Sequence, residues 1–246
     1  MPSDADTLIR LEGVHKSFGD QHILRGLSFD VRRGQCLGVM GGSGSGKSVT
    51  LRHVIGLLQP DAGRVVVDGQ DIAQTTESDL AALRRRMGYV FQESALINWL
   101  TVAENLALPL QETTNLKPAE ISEKVEHTLG LVHIPESADK FPAQISGGMK
   151  KRVGLARALI TEPEIVLYDE PNAGLDPRIS RSINNLIREL SETLEVTSLV
   201  VEHRIDCLKA VADEVIFMHA GVALVRDPIE TFFDPDEPKL KEFLGV

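Results

Sequence analysis

The sequence predicts an α/β fold in which a mixed α/β core is interrupted by a helical insertion. Three observations carry that prediction. The short apolar run CLGVM leads into the glycine-rich stretch GGSGSGKS, and an amphipathic helical pattern follows. EIVLYD, TSLVVEH and EVIFMHAGVALV read as further strands. Residues 95–160, between them, are mostly helical in pattern and hold no convincing strand. A chain of 246 residues that is 42% apolar suits one large α/β domain, or a core domain with a sizeable insertion.

The opening MPSDADTLIR is acidic and lacks an apolar core, so no secretory signal is expected. Residues 8–35 read as strands and turns: Leu27, Phe29 and Val31 alternate with Ser28, Asp30 and Arg32, the period of a half-buried strand. After the glycine-rich stretch, Leu51, Val54, Ile55 and Leu58 recur at helical spacing. RVVVDGQDI predicts a hairpin turning at Asp68-Gly69. Arg84, Arg85 and Arg86 read as a solvated helix face, and MGYVF as a short strand. The end of the chain, with Phe232-Phe233 and Phe243-Leu244, reads as an ordered tail, a candidate brace between two copies. The divisions are 1–94 and 161–227 for the two parts of the core, 95–160 for the helical segment and 228–246 for the tail.

A net charge of −10 gives no reason to expect nucleic-acid binding, or attraction to anionic lipid. No apolar run approaches the ~18 residues of a membrane span, so work at a membrane needs another chain as anchor. Cys36 and Cys207 lie in regular segments and read as buried small hydrophobes suited to a reducing compartment.

Gly41, Gly46, Lys47 and Ser48 complete the pattern G-x-x-x-x-G-K-[ST]. Its glycines let backbone N–H groups wrap a polyphosphate, and the helix starting near Lys47 adds its positive end. Lys47 can bridge the β- and γ-phosphates, and Ser48 can ligate magnesium. IVLYDE reads as a buried strand ending in two carboxylates: Asp169 to hold magnesium through a water, Glu170 to accept a proton from an attacking water. Gln92 ends MGYVF and His203 ends SLVVE, so four polar features fall at strand carboxyl ends, where open parallel sheets bind ligands.

A second glycine-led helix start follows about a hundred residues later in QISGGMKKRVGLARALI. Ser146 is a good N-cap, and Gly147-Gly148 let backbone approach an anion. The helix is basic early, through Lys150, Lys151 and Arg152; an ordinary capped helix with a solvated basic face fits the same residues.

Taken together, GGSGSGKS, Gln92, ISGGMKKR, IVLYDE, AGLDP and VEH resemble, in order and spacing, the ATP-binding-cassette (ABC) ATPases, over nearly the whole chain. The resemblance implies a P-loop NTPase core with an antiparallel β subdomain and an inserted α-helical signature subdomain. It implies ATP and Mg2+ as cofactors, and a homodimer packed head to tail in which residues 146–149 of one copy close over ATP on the other. ATP contacts would come from Phe18, Gly41, Gly42, Ser43, Gly44, Ser45, Gly46, Lys47, Ser48 and Val49. Magnesium would be held by Ser48, Gln92 and Asp169. Catalysis would use Glu170, His203, Lys47 and Gln92, while Ser146, Gly147, Gly148 and Met149 would serve the partner's ATP and Asp176 would communicate across the dimer. Phe18 stands where tyrosine is commoner, Ile145 where leucine is usual and Met149 where glutamine is frequent. Glu202 and Arg204 replace a small hydroxyl and an aspartate, which puts a charge pair beside His203. A soluble, non-transport cassette usually fuses two cassettes or carries coiled-coil insertions, neither of which this chain has. A non-hydrolytic scaffold is disfavoured by the complete set of Lys47, Asp169, Glu170 and His203.

A narrower resemblance is to the ATPase subunit of bacterial MCE-type (Mla-like) lipid-import systems. It is carried by SGGMKKRVGLARAL, ESALINWLTVAENLALPL, TNLKPAEI and DPDEPKLKEFL. It implies multispanning permease subunits, an MCE-domain protein, in some systems a small cytoplasmic regulatory subunit, and a peripheral place on the cytoplasmic face of the inner membrane. Rivals are cassettes for amino acids such as methionine, or for lipoprotein release. Trp99 reads equally as core of the helical segment or as part of a permease groove.

Overall fold

The computed structural model describes residues 6–245. The strands β1 (Thr7–Phe18) and β2 (Gln21–Arg32) pair antiparallel, and β2 buries Leu27, Phe29 and Val31 as its alternation predicts. All six residues of β3 (Cys36–Gly41) are buried, and α1 (Lys47–Val54) follows the glycine-rich loop. β4 (Ala62–Val67) and β5 (Gln70–Asp71) form the predicted hairpin, with positive φ at both Asp68 and Gly69. The helix α2 (Glu77–Arg85) leads to β6 (Met87–Val90). The segment read as helical holds α3 (Val102–Thr113), α4 (Pro118–Leu131) and α5 (Gly147–Leu159). Then come β7 (Ile165–Asp169), α6 (Pro177–Leu194), β8 (Thr197–Val201), α7 (Ile205–Val211), β9 (Glu214–His219) and β10 (Val222–Pro228). The chain closes with α8 (Ile229–Phe232) and α9 (Pro238–Leu244).

The strands form two sheets, one antiparallel in the order β2-β1-β4-β5 and one in the order β10-β9-β3-β8-β7-β6. The second is parallel from β9 to β6, with β10 antiparallel at its edge. Alternation along its central strands divides the core. Val166, Tyr168 and Val200 join the cluster built with α3, α4, α5 and α6. Leu167, Leu199 and Val201 join the cluster shared with the antiparallel sheet and α1. Burial on both faces explains why these strands read as continuous apolar runs.

Several sequence expectations are corrected. The helix α1 stops at Val54, so Leu58 lies outside it. Arg84 donates to the carbonyls of Ile55 (3.1 Å) and Gly56 (2.8 Å), supplying donors to carbonyls just past the end of α1. Arg86 pairs with Asp68 (2.8 Å) and Glu164 (2.7 Å). Of the three arginines only Arg85 is solvated in the manner expected. Trp99 is 79% exposed, which removes the core reading. Its loop is shaped by buried Asn105, which accepts the Ile97 N–H and donates to the carbonyls of Ile97, Leu100 and Thr101.

The tail spends its apolar groups mainly on its own chain. Phe232 and Leu240 are fully buried against Met40, Leu208, Val215 and Phe217. Phe232→Ala should therefore cost about 3–5 kcal/mol of stability, read as a lower midpoint in denaturant. An unchanged midpoint would show that the tail's packing does not support the core.

Candidate active site

The strands β3, β6, β7 and β8 run parallel, so their carboxyl ends share one edge of the sheet. Gly41 ends β3 there, and a Cβ on it would meet the Met218 carbonyl oxygen at 2.4 Å. Gly46 caps α1 with φ of 101°, a conformation that L side chains rarely adopt. Between them Ser43 and Gly44 are exposed, whereas Ser45 is buried and its hydroxyl has no hydrogen-bond partner. Lys47 is buried, and its ammonium donates to the carbonyls of Gly41 (2.9 Å) and Gly42 (3.0 Å). Burial holds its pKa below the ordinary lysine value, against the pull of Glu170, Asp169 and Glu202. Val49 is half-buried on α1, and its carbonyl meets His53 Nδ1 at 2.7 Å.

Ser48 Oγ donates to one oxygen of Asp169 at 2.7 Å, and Tyr89 OH donates to the other at 3.0 Å. Tyr89 is a residue that sequence reasoning missed. Burial and the Asp169 charge push its phenol pKa well up, so it stays a donor. Ser48, Asp169 and the Gln92 side chain offer hard oxygen donors that fit magnesium. Among the described residues no cluster of three His, Cys, Asp or Glu forms a metal cage. That pattern suits an ion completed by phosphates and water rather than by protein alone.

Glu170 follows with φ of 46°, a left-handed backbone uncommon outside glycine, and its N–H is fixed by the Val201 carbonyl at 2.9 Å. The side chains of Gln92 and His203 converge on it: Gln92 Nε2 donates to Oε2 at 3.3 Å, and His203 Nδ1 lies 3.7 Å from Oε1. The segment carrying Gln92 is gripped by α5. Lys151 is buried and donates to the Gln92 carbonyl, and Arg157 donates to the carbonyls of Ala95 (2.6 Å) and Ser94 (2.8 Å). Ser94 and Ala95 both have positive φ. The basic start of α5 is thus not a solvated face, because Lys151 points inward.

At the N-terminus of α5 the Ser146 hydroxyl accepts the Met149 N–H at 3.3 Å, the cap that the sequence predicts. Ser146 and Gly147 are exposed, Met149 is half-buried, and Gly148 is buried, where a Cβ would meet Ile179 at 2.8 Å. Among the described residues no hydrogen bond or ion pair joins residues 146–149 to residues 41–48. Asp176 caps α6, accepting the N–H groups of Arg178 (2.9 Å) and Ile179 (3.0 Å). Phe18 ends β1 with its ring 47% exposed and Lys16 Nζ 5.7 Å from the ring centroid. Of the expected charge pair only Glu202 lies beside His203, its Oε1 3.3 Å from the ring Nδ1. Arg204 turns away to Ser180 Oγ (2.6 Å) and the Leu175 carbonyl (3.3 Å), while Glu202 folds back on its own turn. A cleft of about 640 Å³ runs beside residues 42–45, with Lys239, Glu242 and Phe243 of α9 along one wall.

Residues 24–173 match the family model described as ABC transporter. The methionine import ATP-binding protein MetN of Brucella abortus (strain 2308) is 37% identical over 100% of this chain, which spans 66% of that protein's length. The probable ribonucleotide transport ATP-binding protein mkl of Mycobacterium leprae (strain TN) is 37% identical over 96% of this chain and 68% of its own. A solved dimeric ATP-binding cassette, in a post-hydrolysis state bound to ADP and Pi, aligns with TM-score 0.82 and 30% identity over 90% of this chain and 99% of that one. The structure of cbiO1 from Clostridium perfringens, part of the ABC transporter complex cbiONQ, aligns with TM-score 0.86 and 27% identity, over 98% and 100% of the two chains.

Removing the phenol tests the Asp169 clasp. Tyr89→Phe should raise the magnesium concentration for half-maximal nucleotide binding by about 10-fold, the scale of losing one partner that orients a metal ligand. A titration that superimposes on the wild type would remove Tyr89 from the site.

Proposed function

This chain belongs to the ABC transporter family, and from that premise we propose that it is the ATP-hydrolysing, nucleotide-binding subunit of a transporter. One observation carries the reading: Ser48 meets Asp169 at 2.7 Å, and Gln92 and His203 both converge on the adjoining Glu170. On this reading, backbone N–H groups of residues 42–47 and the start of α1 hold the phosphates of ATP, with Phe18 stacking on adenine. Lys47 exchanges its loop carbonyls for β- and γ-phosphate oxygens. Ser48, Asp169 and Gln92 hold magnesium, which supplies charge neutralisation at the phosphates when bound. Glu170 accepts a proton from water as the water oxygen bonds to the γ-phosphorus and the bond to the ADP oxygen breaks. His203 positions the γ-phosphate and that water.

Residues 146–149 complete the site of a second copy. Ser146 and Gly147 stand exposed at the helix start, and residues 146–149 make no bond to their own phosphate loop. Closure of the two copies on ATP moves attached permease subunits, and hydrolysis parts them; Asp176 lies in the segment that would sense the partner. The division at 94/95, 160/161 and 227/228 belongs to the same reading.

For the cargo, the finer reading is lipid, with an MCE-domain protein and multispanning permeases at the cytoplasmic face of the inner membrane, some such systems adding a small cytoplasmic regulatory subunit. The segments of residues 93–121, 146–159 and 234–244 support it by resemblance. No helix among the described residues is long and apolar enough to cross a membrane. Trp99 and Phe91, the latter next to Gln92 in the chain, are exposed and suit a surface for a permease. A second reading, amino-acid import, is favoured by the 37% identity to the methionine import protein. Co-purification separates them: an MCE-domain protein with the permease supports lipid, and a methionine-binding receptor supports the amino acid.

Glu170→Gln should bind ATP normally and lose ~10²–10⁴ in turnover, measured as phosphate release against nucleotide affinity. Near-normal release would remove Glu170 as the base. A second test uses mixed dimers. Ser146→Arg in one copy should spare nucleotide binding to that copy and silence the site on its partner. Damage confined to the altered chain's own loop would refute the shared site.

A further inference from the structure

We propose that Arg204 is a positioning residue: a strut that ties the turn carrying His203 to the start of α6, and so sets the spacing between His203 and the exposed Asp176. The proposal rests on the hydrolytic reading for its consequence in turnover, but not for its geometry. The turn is compact. The Glu202 N–H donates to the Val39 carbonyl at 3.1 Å, and Glu202 Oε1 accepts the N–H groups of His203 (2.8 Å) and Arg204 (3.1 Å). From that turn the half-buried Arg204 side chain reaches across to α6. One nitrogen, Nη1, donates both to Ser180 Oγ at 2.6 Å and to the Leu175 carbonyl at 3.3 Å. Ser180 is 3% exposed, so water does not compete freely for its hydroxyl.

Local electrostatics does not select an arginine here. A helix start carries partial positive charge, which disfavours a cation beside it, and Arg178 already stands in the first turn of α6. The guanidinium meets a hydroxyl and a carbonyl rather than a carboxylate. What the arginine supplies is donors across a gap between elements. The Leu175 carbonyl precedes the Asp176 cap, outside the ladder of α6, and needs a donor from elsewhere. Residues 171–176 run from Glu170 to α6 and are held by short bonds of their own. Ala173 N–H donates to the Glu170 carbonyl (3.0 Å), Leu175 N–H to the Asn172 carbonyl (3.2 Å), and Asn172 Nδ2 to Asn184 Oδ1 (2.6 Å). Arg204 fixes the far end of that segment to the turn after β8. In the same first turn of α6, Ile179 packs on Gly148 of α5, where a Cβ would meet it at 2.8 Å. The strut therefore joins the turn of His203 to both segments proposed to face a second copy, 146–149 and Asp176. Arg204 acts through these contacts, not on the nucleotide.

Amide hydrogen exchange of the full chain without nucleotide reads the strut directly. Arg204→Met keeps the apolar stem and removes the donors. It should speed exchange about 10-fold both at His203 and Arg204 and at residues 173–176, the scale of one lost hydrogen bond. Faster exchange confined to the turn, with residues 173–176 as in the wild type, overturns the proposal. Turnover gives the second reading. In Arg204→Met kcat should fall on the order of 10-fold, the scale of a misplaced group, with KM for ATP nearly unchanged. Ser180→Ala should lower kcat by less, and adding it to Arg204→Met should cost nothing further, because the bond is lost only once. Losses that multiply in the double variant would show that the two residues act separately and would overturn the strut. Should Arg204→Met not fold, Ser180→Ala decides alone: faster exchange at His203 and Arg204, across the bond, upholds the strut, and unchanged exchange overturns it. The expected exchange pattern in a chain that hydrolyses no ATP would uphold the positioning and refute the hydrolytic function.

Discussion

Asp169 ends β7 with one oxygen on Ser48 at 2.7 Å and the other on Tyr89 at 3.0 Å. That single carboxylate pins α1, β7 and β6 to one point at the carboxyl edge of the parallel sheet, and the geometry of the site follows from it. With Ser48 fixed, the loop before it has little freedom. Lys47 lies folded into the loop against the carbonyls of Gly41 and Gly42. With Asp169 fixed, the chain turns at once through the left-handed Glu170, whose side chain meets Gln92 and His203. A uncommon backbone conformation of this kind persists only where its surroundings over-determine it. Here the Val201 carbonyl holds the Glu170 N–H from the neighbouring strand.

The helical segment enters this arrangement through cations. Lys151 and Arg157 lie on α5, and both donate to backbone carbonyls of residues 92–95. Carbonyls in a stretch with two left-handed residues have no strand or helix to satisfy them, and buried backbone acceptors need partners. The clasp meets that need, and it also makes the position of Gln92 depend on the position of α5. Since α5 begins at Ser146, a displacement of its exposed end reaches Glu170 through one helix, two cations and one amide.

The sequence made legible what is consecutive. Strand, glycine loop, lysine, serine and helix occupy one short run, and the apolar strand ending in Asp169 and Glu170 another. The hairpin at Asp68-Gly69 and the cap at Ser146 were legible for the same reason, because turns and caps are chosen by local backbone chemistry. What stayed hidden is what the fold brings from afar. Nothing near Tyr89 says that its hydroxyl meets a carboxylate eighty residues on. Arg84 and Arg86 look like a wetted basic run until the end of α1, Asp68 and Glu164 are placed beside them. Lys151 hid within a basic helix start for want of any local mark of burial. Trp99 was ambiguous because apolar character alone does not separate core from a surface kept for another chain.

Electrostatics gives the clearest reason for two anion-seeking helix starts in one chain. Helices α2, α3, α4, α7 and α8 carry their own acidic residues in the first turn, and α6 and α9 are capped by Asp176 and Glu237. Those carboxylates answer the partial positive charge that aligned peptide dipoles leave at a helix start. Among the described α-helices, α1 and α5 alone have neither an acidic cap nor an acidic first turn. Their caps are Gly46 and Ser146, and the first residues beyond are lysine and serine in one, two glycines in the other. In a chain of net charge −10, acid is withheld from just the two helix starts that the proposed head-to-tail dimer would bring to opposite sides of one triphosphate. On that proposal the start of α5 faces the γ-phosphate held on α1 of the other copy. The division of one site between two copies then needs no special device, only two helices whose charge is left for the same ligand to neutralise.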